Sequence, residues 1–109
     1  MSDFELGLEA FNLGKYDRAL QILQPIAAKE NAEAQCILGN IYHLGLGVKQ
    51  DLNKAVYWYQ KSSDRGYGVA FNNLAGILIA GENGIKKDLF LAKKLYQKVL
   101  QQGFIHVKS

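Results

Sequence analysis

Apolar and small residues recur at intervals of three and four through DLNKAVYWYQKSSDRG, residues 51–66, where Leu52, Ala55, Tyr59 and then Ser62 or Ser63 share one side of a helix. The same spacing returns in DLFLAKKLYQKVLQQG, residues 88–103, through Leu89, Ala92, Tyr96 and Val99. Both stretches predict amphipathic helices stopped by a glycine, Gly66 and Gly103. They share Asp, Leu, Ala, Tyr-Gln-Lys and Gly at a single offset of 37 residues, so the chain is internally repeated.

A second helical segment precedes each. AEAQCILGNIYHLG (32–45) and GVAFNNLAGILIAG (68–81) match at an offset of 36 through Ala34/Ala70, Leu38/Leu74, Gly39/Ala75, Ile41/Ile77 and Gly45/Gly81. The loops that follow, GLGVKQD and GENGIKKD, differ by one inserted residue, and Val48 and Ile85 are expected to plug the space beneath each turn. Small residues at Gly39, Ala75, Ala55 and Ala92 let antiparallel helices approach closely.

The first third is a shorter version of the same unit. LGLEAFNLGKYDRALQILQPIA has a compact Gly14-Lys15-Tyr16-Asp17 turn before Ala19, Leu23 and Ile26, and setting Ala19 against Ala55 again gives an offset of 36. That register places Leu23 on Tyr59 and Ala27 on Ser63. The prediction is an all-α fold, an α-solenoid of about three helix-turn-helix repeats and six helices, in which each pair buries the face its neighbour leaves open. The units run from about 4–31, 32–66 and 67–103, with a tail at 104–109, as a single repeat domain over 1–109.

Taken together, Ala34, Leu38-Gly39, Tyr42, Gly45, Gly47-Val48, Asp51, Ala55, Trp58-Tyr59, Lys61 and Gly66 resemble a Sel1-like repeat. The third unit resembles it through Ala70, Leu74, Gly81, Gly84-Ile85, Asp88, Ala92, Tyr96, Lys98 and Gly103, and departs at Ala75, Leu78 and Leu95. The Gly-x-Tyr-Asp-x-Ala turn of the first unit resembles the shorter tetratricopeptide repeat, of period about 34. The resemblance implies a right-handed solenoid whose concave face, formed by the first helix of each pair, binds protein or peptide in adaptor work. Some secreted members are cysteine-rich and associated with penicillin binding. This chain lacks their paired cysteines, so a hydrolase of the β-lactam or ester type is the last of the alternatives.

Composition adds limits. Hydrophobic residues at 49% and charged residues at 21% describe a globular protein. No apolar run approaches the roughly 18 residues a membrane helix needs. The start, MSDFELGLEAF, has no basic n-region or apolar h-region, and Cys36 is the single cysteine, so a cytoplasmic location is expected. Charge is uneven: residues 1–36 carry three basic and six acidic side chains, residues 86–109 six and one. Lys87, Lys94 and Lys98, at i, i+7 and i+11 and accompanied by Lys86 and Lys93, are expected to form one solvated stripe on the last helix.

Catalytic chemistry finds few residues. Cys36, His43 and His106 are far apart and lack metal-ligand spacing, so neither catalysis, metal nor cofactor is expected. The glycine-lysine loops do not fit GxxxxGK[ST] and follow no strand. Tyr57, Trp58 and Tyr59 point about 100° apart on a helix and cannot form one stacking platform, so no nucleic-acid partner is expected.

The tetratricopeptide register implies a partner-binding face of Phe4, Leu8 and Phe11 in the first unit, Glu33, Cys36, Asn40 and His43 in the second, and Val69, Asn72, Gly76 and Ile79 in the third. Asn40 and Asn72 suit a peptide backbone, because an amide both donates and accepts. The competing expectation is that Phe4, Leu8 and Phe11 simply pack within the first pair. The expected partner is a protein or peptide, with no membrane. A dedicated inhibitor, such as an immunity protein neutralising a toxin or enzyme, is the alternative. At the far end, Val99-Leu100 replaces Ser62-Ser63. Either Phe104, Ile105 and Val107 fold back over them, or an apolar patch favours a homodimer through this end.

Overall fold

The computed structural model describes residues 1–81 and 85–101. Among these residues there are six helices and no strand: α1 (Asp3–Asn12), α2 (Tyr16–Ala28), α3 (Ala32–Leu44), α4 (Leu52–Asp64), α5 (Gly68–Ala80) and α6 (Leu89–Gln101). Gly84, Gly103, His106 and the tail residues Phe104, Ile105 and Val107 lie outside the described residues.

Short polar side chains start the helices. Ser2 Oγ accepts from the Glu5 N–H at 3.1 Å while the Glu5 carboxylate accepts from the Ser2 N–H at 2.8 Å, a reciprocal cap on α1. Asn31 caps α3 through the Ala34 N–H at 2.8 Å, and Asp51 caps α4 through the Lys54 N–H at 3.1 Å. Asp88 Oδ1 accepts from the Leu91 N–H at 2.9 Å. The recurring Asp-Leu pair is therefore a helix start, with the carboxylate satisfying a first-turn donor. Gly45 and Gly81 end α3 and α5 at φ 66° and 60°, a left-handed conformation that a Cβ disfavours.

The helices form three pairs, α1 with α2, α3 with α4 and α5 with α6, joined through α2 on α3 and α4 on α5. One apolar cluster gathers Leu23, Leu38 and Ile41, with Val48 and Trp58 packed on it; the other gathers Tyr59, Leu74 and Val99, with Ile85 packed on it. Val48 and Ile85 thus plug the two loops as expected. Helix approach is as close as the small residues suggest. A Cβ on Gly39 would run into the Tyr59 ring, and one on Gly7 would run into Leu23, its counterpart one unit earlier.

Two expectations change. Tyr59 is 0% exposed, but its counterpart Tyr96 is 36% exposed, and α6 buries Ala92, Leu95 and Val99 instead. Ala75 stands where Gly39 makes room for the Tyr59 ring, so the third pair has no equivalent seat. Leu89 and Leu100, on the same side of α6 as Tyr96, are 57% and 58% exposed. The lysine stripe is also shorter than expected. Asp88 caps the helix, so Lys86 and Lys87 sit in the preceding loop and only Lys93, Lys94 and Lys98 belong to α6.

Candidate functional site

Helices α3 and α5, the first members of their pairs, are linked by a polar cluster to which α4 contributes Tyr59. Its centre is Asn40 Oδ1, which accepts from the Tyr59 hydroxyl at 2.6 Å and from Asn73 Nδ2 at 3.2 Å. Asn73 Nδ2 also lies 4.0 Å from Cys36 Sγ. His43 Nδ1 lies 3.1 Å from the Tyr59 oxygen. The tyrosine hydrogen is committed to Asn40, so this contact requires a hydrogen on Nδ1, which leaves Nε2 with its lone pair.

Burial sets the protonation of the cluster. It pushes the Cys36 thiol up to about 12, with the Glu33 charge adding to it. It also raises the Tyr59 hydroxyl above its ordinary range and lowers the His43 imidazole below its own. At neutral pH the cluster is therefore an uncharged network of fixed hydrogen-bond directions.

The expected partner-binding residues divide into three groups. Asn40, His43 and Asn72 are half-buried on α3 and α5, while Glu33, Val69, Gly76 and Ile79 are exposed. Phe4, Leu8 and Phe11 are half-buried and pack on the N-terminal apolar cluster, so they serve the core of the first pair with part of their surface. Cys36, expected to face either the groove or the core, is buried at 3% exposure and can only support the residues above. The aromatic run behaves as expected: Tyr57 is exposed, and its ring stands edge-on to Trp58 at 82°.

Two members of the cluster escape the sequence reading. Asn73 occupies the register of Ile37, an offset of 36, and a polar residue at an apolar position is the signal that marks it. The Tyr59 hydroxyl is the other. Only in the middle unit do Asn40 and His43 face it; Gly76 and Ile79 hold those positions in the third unit and Leu8 and Phe11 in the first.

Elsewhere, a cavity of about 350 Å³ lies against the first turn and Gly47, lined by Lys15, Tyr16 and Arg18 and away from the cluster. Among the described residues no group of three or more His, Cys, Asp or Glu side chains is placed to hold a metal ion. No helix there is long and apolar enough to cross a membrane.

Residues 32–67 and 70–104 each match the family model described as Sel1 repeat. The chain belongs to the Sel1 repeat family. A Sel1 repeat protein from Oxalobacter formigenes superposes with a TM-score of 0.85 at 33% identity, covering 92% of this chain and 41% of that one. A sel1-like repeat-containing protein of Acanthamoeba polyphaga mimivirus is 35% identical over 91 residues, which are 79% of this Sel1 repeat chain and 16% of the relative. The ERAD-associated E3 ubiquitin-protein ligase component HRD3A of Arabidopsis thaliana is 41% identical over 54 residues, 49% of this chain and 8% of that protein. The chain thus spans a small part of the length of these two curated relatives. The family match falls on the second and third units.

Proposed function

We propose that this Sel1 repeat chain is a non-catalytic protein-interaction module that holds a protein or peptide on the concave face lined by α1, α3 and α5. The observation that carries this reading is Asn40. Its amide is held by Tyr59 and Asn73 from two other helices, which pre-organises a polar group on a face that also carries apolar side chains. The likeness to HRD3A, a component of an E3 ubiquitin-protein ligase, supports an assembly role.

Affinity purification with the wild-type chain and with Asn40→Ala and Asn72→Ala tests the reading. Both substitutions should deplete the same co-purifying protein, while Lys94→Glu on the opposite side should leave its recovery unchanged. Equal recovery with all four baits would refute this face.

A further inference from the structure

Resting on that reading, we infer that Asn40 and His43 form a donor–acceptor pair that reads the main chain of an extended, uncharged peptide segment with fixed polarity. Asn40 Nδ2 gives a hydrogen bond to a peptide carbonyl, and His43 Nε2 accepts one from a peptide N–H.

The polarity follows from the bonds beneath the surface. Asn40 Oδ1 already accepts from Tyr59 and Asn73, so its oxygen points inward and its NH₂ group is left to face outward. His43 spends its Nδ1 hydrogen on the Tyr59 oxygen, so Nε2 is left as an acceptor. Among the described residues, Gln35 Oε1 is the one buried side-chain nitrogen or oxygen without a hydrogen-bond partner. Asn40 Nδ2 and His43 Nε2 make no hydrogen bond with those residues and are not among the buried orphans, so neither is entombed.

The two residues are three apart on α3 and therefore neighbours on its surface, about 5–6 Å between Cβ atoms. A residue in an extended chain shows its N–H and C=O to the same edge, as in an antiparallel pair, and so matches a donor and an acceptor side by side. A terminal carboxylate fits less well. It offers no N–H to His43, and the exposed Glu33 on the same helix would repel it.

The flanks suggest the side chains. Val69 and Ile79 are exposed on α5, and Phe4, Leu8 and Phe11 are half-buried on α1. These apolar side chains lie on the helices to either side of α3 in the stack. The occupant is thus a short extended peptide, apolar at both ends, held at its centre by main-chain hydrogen bonds.

Two measurements test this. In the ¹⁵N-labelled chain at pH 8, long-range ¹⁵N–¹H correlation should show the His43 hydrogen on Nδ1; a hydrogen on Nε2 overturns the assigned polarity. Peptides selected from a random decapeptide display library then serve as probes, with each amide replaced in turn by an ester. One replacement should weaken binding to the wild-type chain by about tenfold, the size of a single well-placed hydrogen bond, and should have no such effect on His43→Ala. Asn40→Asp keeps the inward oxygen but makes the outward atom an acceptor, and should weaken the selected peptides about as much. Peptides that need Phe4, Asn72 or Ile79 but respond evenly to every ester would overturn this inference and leave the concave-face reading standing. A library yielding no peptide sensitive to any substitution on that face would overturn both.

Discussion

The ring of Tyr59 fills the space that a side chain on Gly39 would need. A methyl at position 39 would gain about 0.5–1 kcal/mol of helix preference but overpack the contact at a cost of about 1–3 kcal/mol. Gly39→Ala is therefore expected to lower the urea midpoint. Gly76→Ala is the control from the next unit: nothing lies within 4 Å of its added Cβ, so it should raise the midpoint. Equal effects from the two substitutions would contradict the contact.

The hydroxyls of the two equivalent tyrosines should differ in worth. Tyr59→Phe removes the bond to Asn40 and leaves the His43 Nδ1 hydrogen without its partner, an expected loss of about 1 kcal/mol. Tyr96→Phe, on an exposed ring, should stay within about 0.5 kcal/mol of wild type. In a double-mutant cycle, Tyr59→Phe and Asn40→Ala should couple by at least about 0.5 kcal/mol, as residues sharing one network do.

Acid should weaken the fold before carboxylates titrate. Burial holds the His43 imidazole below its ordinary pKa, so the unfolded chain takes up the proton first as pH falls. The stability from a neutral His43 is complete above about pH 6.5 and is lost as pH drops through that value towards the folded-state pKa. Urea midpoints measured between pH 8 and pH 5 should fall in wild type and flatten in His43→Gln. A wild-type slope that survives in the variant would assign the effect to other groups.

Cys36 should resist alkylation. With its thiol pushed up to about 12 by burial, the reactive thiolate is scarce at pH 8. Compared with an ordinary thiol near 8.5, iodoacetamide labelling of the native chain should be slower by on the order of a thousandfold, and urea should restore the rate. Rapid native labelling would show that Cys36 is not enclosed as described.

Much of this was legible in the sequence because it depends on local spacing. The three-and-four periodicity of Leu52, Ala55 and Tyr59 specifies a helix and its buried side, and the small residue at position 39 announces a close contact. The fate of Tyr96 was harder to read, since the same tyrosine in the same register loses its seat through one methyl at Ala75. Asn73 became meaningful only when packing brought it to Asn40, 33 positions away in the chain. Lys87 illustrates a boundary problem: periodicity carries it onto α6, but Asp88 captures the first-turn donor and ends the loop there.

The open side of α6 gives the stack a direction. Leu89, Tyr96 and Leu100 stand in the register of Leu52, Tyr59 and Ser63 of α4, and are exposed where Tyr59 and Ser63 are buried. At the other extremity α1 carries exposed Glu5 and Glu9 where, by the register that sets Leu8 on Asn40, α3 buries Ile37 and Ile41. That side of α1 is acidic, whereas the exposed side of α6 is apolar. A helix pair grafted against α6 would find apolar side chains to bury, and the same pair set against Glu5 and Glu9 would not.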